Sequence, residues 1–97
     1  MSLTSKQRSY LRGLANNMDP IIQIGKGGIT ANLLLQADEA LEAREIVKGK
    51  VLKNHFGGVK ETAEELAAKT GAEVVQVIGS VFVLYRESKE SRIKLPM

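Results

Sequence analysis

At 97 residues the chain is long enough for one domain with a single core and little margin, and we treat residues 1–97 as that domain. It is 43% apolar and 26% charged, with no cysteine; this excludes disulfide and thiolate chemistry, and no apolar run reaches membrane-spanning length, so we expect a cytosolic monomer. The net charge of +3 is only mildly basic but unevenly spread: residues 1–30 hold Lys6, Arg8, Arg12 and Lys26 against Asp19 alone, which fits a polyanionic partner.

Thr4-Ser5-Lys6-Gln7 has capping-box spacing, with Thr4 as N-cap. The helix that follows places Gln7, Leu11, Leu14, Ala15 and Met18 on one side and Arg8 and Arg12 together on a flank; Asn16-Asn17 and Asp19-Pro20 close it. Pro20 to Ile24 reads as a short buried strand. A second helix from about Thr30 to Ala43 buries Leu33, Leu34, Ala37, Ala40 and Leu41 and leaves Asp38, Glu39 and Glu42 to water. In a strand from about Glu45 to Leu52, Val47, Gly49 and Val51 point one way, Lys48 and Lys50 the other. Asn54 to Gly58 is a turn. A third helix starts near Val59 and ends with Lys69 before Gly71, a natural C-terminal stop. Strands over Ala72 to Ile78 and Val81 to Arg86 flank Gly79-Ser80, a two-residue hairpin signal, and the last eleven residues are charged and extended. The order α-β-α-β-α-β-β predicts an α/β fold, a small two-layer sandwich with a four-stranded mixed sheet and helices largely on one face. The outward lysines predict that the other face is at least partly open.

Gly25-Lys26-Gly27-Gly28 lies between the first strand and the second helix. Glycine lets a backbone come close to a ligand, and a helix N-terminus offers N–H groups to an anion. The P-loop pattern fails, because no glycine precedes Lys-Ser or Lys-Thr at the required spacing; the dinucleotide fingerprint fails at Thr30. What remains is Gly-x-x-Gly, which in one class of RNA-binding modules clamps the sugar-phosphate backbone. A plain structural turn explains the tetrapeptide alone equally well. Lys26 at the tip suits a phosphate, and Arg8, Arg12, Lys48 and Lys50 divide evenly between phosphate contacts and ordinary solvated positions.

Catalysis finds little material here. His55 is the single histidine, in a turn with no second His, Cys or paired acid nearby in sequence, and reads as a surface residue. Asp38-Glu39 and Glu64-Glu65 read as helix-surface acids. We expect no catalytic residue, metal or cofactor. Phe82 is expected in the core, while Tyr85 stays open between core packing and stacking on a base. At 4% aromatic residues the chain lacks the aromatic central strand of an RRM.

Taken in order, Leu11-x-x-Leu14-Ala15, Pro20-Ile21-Ile22-x-Ile24-Gly25-Lys26-x-Gly28-Ile29-Thr30, Ala40-Leu41, Glu45-x-Val47-Lys48, Val77-Ile78-Gly79 and Val83-Leu84-Tyr85-Arg86 resemble the CRM domain, named for chloroplast RNA splicing and ribosome maturation. The likeness runs from about Lys6 to Pro96, and the size and charged tail are similar to the stand-alone bacterial YhbY-type form. The resemblance implies a fold related to the C-terminal domain of translation initiation factor three. It implies RNA binding through the glycine loop and neighbouring basic surface, and association with precursors of the large ribosomal subunit. The expected function is therefore non-catalytic binding of ribosomal RNA, with Gly25, Lys26, Gly27, Gly28, Arg8, Arg12, Lys48 and Lys50 as contact residues. A protein–protein adaptor docking on a ribosomal or maturation protein through the open sheet is the alternative, and salt-sensitive binding to naked RNA separates the two.

Overall fold

Local chemistry sets the element boundaries. The structure, a computed structural model, describes residues 3–55 and 57–97. Its elements are α1 (Ser5–Ala15), β1 (Ile22–Ile24), α2 (Ala31–Arg44), β2 (Ile46–Val51), α3 (Val59–Thr70), β3 (Glu73–Ile78) and β4 (Val81–Tyr85). The capping box forms in full: Thr4 Oγ1 accepts from Gln7 N and Gln7 Oε1 accepts from Thr4 N, both at 3.1 Å. Thr30 caps α2 by accepting from Leu33 N at 3.1 Å. Gly71 ends α3 at φ 72°, and Gly79 turns the β3–β4 hairpin at φ 59°. Of the turn expected at Asn54 to Gly58, Phe56 lies outside the described residues.

The sheet order is β1-β2-β4-β3, with β1 parallel to β2 and the other pairs antiparallel. Helices α2 and α3 cover one face, over Ile22, Ile24, Val47, Val51, Phe82 and Leu84. Helix α1 crosses the opposite face, where Leu11 and Ala15 pack with Ile46, Val75, Val83 and Tyr85. Two helices of three thus share a face, and α1 partly closes the face that Lys48 and Lys50 suggested was open. β4 explains why its sequence is an unbroken apolar run: Phe82 and Leu84 face one core, Val83 and Tyr85 the other. Tyr85 is therefore a core residue and no stacking platform. Burial, reinforced by the Glu45 and Glu87 carboxylates, pushes its hydroxyl pKa up.

Gly49 stands in a strand where a branched apolar residue would ordinarily pack better. Its partner across the sheet is Phe82, and a Cβ on Gly49 would fall 2.3 Å from the Phe82 ring. The missing side chain makes room for the largest fully buried side chain among the described residues. Leu14, expected on the buried side of α1, is exposed, because Leu11 and Ala15 alone form the narrow stripe that meets the sheet. The C-terminal segment, expected extended and charged, is tied down instead: Ile93 and Leu95 pack against the α1 core. No helix of the described residues is long and apolar enough to cross a membrane.

Candidate nucleic-acid interface

β1 and β2 run parallel, so the loop after β1 and the loop after β2 emerge at the same end of the sheet. There Leu52 N donates to Ile24 O at 2.8 Å, and Val51 N donates to Ser80 O in the β3–β4 hairpin at 2.8 Å. The Gly25–Gly28 segment closes as a tight turn, with Gly28 N donating to Gly25 O at 2.9 Å and Gly28 at φ 67°. Glycine at position 28 is required by that positive φ. Glycine at position 25 admits the neighbouring loop: an added Cβ would lie 3.3 Å from Asn54 Oδ1 and 3.5 Å from Leu52 Cδ1.

Among the described residues, the Lys26 and Gly27 N–H groups have no hydrogen-bond partner. Both residues are exposed, directly before the N-terminus of α2. Two successive backbone donors, a lysine and a helix start four residues on are groups of the kind that bind a phosphate. Lys50 adds charge beside it: it is exposed on the α1 side of the sheet, registered between Gln23 on β1 and Val81 on β4.

The other expected contact residues sit elsewhere. Arg8 Nη1 donates to Val74 O, and to Val75 O at 3.3 Å, where a β-bulge in edge strand β3 disrupts the ladder. Lys48 Nζ donates to Ala15 O and Met18 O, both at 3.1 Å, and so caps the end of α1. Arg12 is exposed on α1 and not part of the loop cluster. The structure gathers Gly25, Lys26, Gly27, Gly28 and Lys50 at one end and gives Arg8 and Lys48 intramolecular partners.

Three residues at the loop end escaped the sequence reading. Lys53 is exposed in the β2–α3 connection and Lys60 in the first turn of α3, both at the end that carries the loop. Parallel pairing of β1 with β2 was the signal that would have found them. The third is His55, expected at the surface. It is half-buried, with Nδ1 3.1 Å from Gly25 O and Nε2 3.0 Å from Thr62 Oγ1.

The model of the CRS1 / YhbY (CRM) domain matches residues 3–86. The chain belongs to the CRM family. It is 46% identical over 95 residues to "Probable RNA-binding protein YqeI" of Bacillus subtilis, covering 97% of this chain and 99% of that protein. It is 36% identical over 99 residues to an "RNA-binding protein" of Haemophilus influenzae, covering 98% of this chain and 96% of that one. The solution structure of hypothetical protein SAV1595 from Staphylococcus aureus superposes with a TM-score of 0.83 at 57% identity, covering 98% of this chain and all of that one. The match to YqeI extends over the relative's whole length, as the resemblance to the bacterial YhbY-type form implied.

Proposed function

We propose that this protein binds RNA in the cytosol without catalysing a reaction on it, and that Gly25–Gly28 clamps the sugar-phosphate backbone. The observation that carries this reading is the pair of N–H groups at Lys26 and Gly27 that have no partner among the described residues, in the exposed glycine turn that leads into α2. Lys50 on β2, Lys53 in the β2–α3 connection and Lys60 in the first turn of α3 add positive charge at the same end. The names of the curated relatives support RNA as the partner and binding as the activity. We assign the RNA to a precursor of the large ribosomal subunit, as the resemblance to the bacterial YhbY-type form implies, and expect a monomer to bind it.

The test is salt-dependent binding to end-labelled ribosomal RNA. A few phosphate contacts give a slope of log affinity against log salt on the order of −2 to −4, at about −0.7 per phosphate for single strands. The RNA should leave the incubation uncut and unmodified, with or without ATP and divalent metal. One feature favours a second reading, a protein adaptor. Ala15, Lys48, Gln76, Ile78, Val81 and Val83 line a groove of about 220 Å³ on the uncovered part of the sheet, and Ile78 is 64% exposed. A slope near zero would support that reading against RNA.

A further inference from the structure

We infer that His55 is a positioning residue for the glycine loop: it holds the Gly25 carbonyl inward and thereby aims the Lys26 N–H at the ligand. The inference rests on the RNA-binding reading above. A carbonyl oxygen only accepts, so the 3.1 Å contact with Gly25 O means that His55 Nδ1 carries a proton and donates it. The same oxygen accepts from Gly28 N at 2.9 Å, so both of its lone-pair directions are used. The peptide joining Gly25 to Lys26 is planar and trans, so its C=O and N–H point in opposite senses. An oxygen fixed toward His55 leaves the Lys26 N–H pointing away from the protein, where it has no partner among the described residues.

The ring itself is held from the other side. Nε2 lies 3.0 Å from Thr62 Oγ1, in the first turns of α3; with the ring proton on Nδ1, Nε2 accepts, so the Thr62 hydroxyl, whose oxygen is also 2.7 Å from Gly58 O, turns its single proton to Nε2. The ring lies against the loop backbone: a Cβ on Gly28 would stand in van der Waals contact with His55 Cε1 at 3.7 Å, and one on Gly57 in contact with Nε2 at 3.5 Å. A solvated surface histidine would have neither its two hydrogen-bonded nitrogens nor its half-buried position. His55 instead fastens the loop to α3, an element that packs on the sheet core through Ala63, Leu66 and Ala67.

Isosteres separate positioning from mere packing. Asparagine places an amide nitrogen where Nδ1 stands, whereas glutamine places one where Nε2 stands. Binding to end-labelled ribosomal RNA should fall about fivefold to tenfold in His55→Gln, the size of one lost hydrogen bond, and recover to within about twofold of wild type in His55→Asn. In ¹H–¹⁵N spectra without RNA, the Lys26 to Thr30 amides should move in His55→Gln and return in His55→Asn. Gly27→Asp runs beside them as the loop control. If Gly27→Asp loses binding while folded His55→Gln binds as wild type, the positioning inference is overturned and the RNA reading stands. If wild type fails to bind, or Gly27→Asp binds equally well, the RNA reading falls and the inference with it. Should the His55 variants fail to fold, Thr62→Val removes the grip on Nε2, together with the hydroxyl's contact to Gly58 O, and leaves the Nδ1 bond to Gly25 in place. It should shift the loop amides and weaken binding about twofold to threefold; unchanged amides and affinity overturn the inference.

Discussion

The two ends of the sheet treat polar groups in opposite ways. At the end away from the glycine loop, donors and acceptors are joined to one another. Glu45 is fully buried after α2, and its carboxylate accepts from Ser88 N at 2.7 Å, Ser88 Oγ at 3.1 Å and Ile93 N at 2.5 Å. Arg86 donates to Thr70 O at 2.8 Å and Asp38 O at 3.0 Å and pairs with Asp38 Oδ1 at 2.6 Å, joining the ends of β4 and α3 to α2. At the loop end, among the described residues, the backbone donors at Lys26 and Gly27 have no hydrogen-bond partner and the cations Lys26, Lys50, Lys53 and Lys60 have no carboxylate partner. Polar groups satisfied internally stabilise the fold; polar groups left aimed at water can exchange that water for a ligand. The contrast places internal bonding at one end and supports the proposal that recognition sits at the other.

Breaking the recognition end should have the largest effect. Gly27 has ordinary φ and its nearest obstacle is Thr30 Cγ2 at 3.4 Å, so Gly27→Asp is sterically tolerated, whereas Gly28→Asp adds backbone strain at φ 67°. A carboxylate at position 27 repels phosphate, and RNA affinity should fall on the order of a hundredfold, about 2.7 kcal/mol, with unchanged far-UV circular dichroism. At the stability end, Glu45→Ala leaves the buried amides of Ser88 and Ile93 without their acceptor. Urea unfolding should show a loss of about 2–4 kcal/mol with intrinsic RNA affinity retained in the folded protein. Gly49→Ala, placed between the ends, overpacks Phe82 and should cost about 1–3 kcal/mol in the same assay.

A pH titration sharpens the contrast further. Burial works to raise the Glu45 pKa, but hydrogen bonds from Ser88 and Ile93 N–H, the Ser88 hydroxyl and the Arg92 backbone outweigh it and hold the carboxyl below its ordinary 4.5. A lowered native pKa means that the stabilisation is complete above the unfolded value and disappears as pH falls through the native one. Wild-type stability should therefore drop below about pH 4.5 more steeply than that of Glu45→Gln, as thermal melts would show. The smallest effect belongs to Lys26→Ala, which should flatten the salt slope by about 0.7, one phosphate's worth.

The fold was legible wherever local chemistry decides. Thr4 and Gln7, Gly71 and Gly79-Ser80 announce their caps and turns because the groups they satisfy lie within a few residues. Of the candidate site, the turn at Gly25–Gly28 was legible from its glycine spacing. For Arg8, Lys48, Glu45 and His55 the cause is shared: each is held by backbone groups far away in the chain. Arg8 and Lys48 look like free cations in sequence, since the carbonyls at Val74, Val75, Ala15 and Met18 that they serve carry no side-chain signal. Glu45 resembles any acid ending a helix until the chain returns 43 residues later with Ser88. His55 has no catalytic company, and its partner is again a carbonyl, that of Gly25. The side taken by α1 depends on tertiary packing, which its narrow Leu11–Ala15 stripe does not specify.

The most direct test of the division between the ends is a ¹H–¹⁵N titration of the whole protein with ribosomal RNA fragments. The account predicts that the Lys26, Gly27, Ala31, Asn32, Lys50 and Lys53 amides shift with RNA while those of Ser88 to Ile93 and of α1 stay in place. Shifts concentrated on α1, on the Ser88 to Ile93 segment, or on Ile78 and Val81, with the Lys26 and Gly27 amides unmoved, would contradict it.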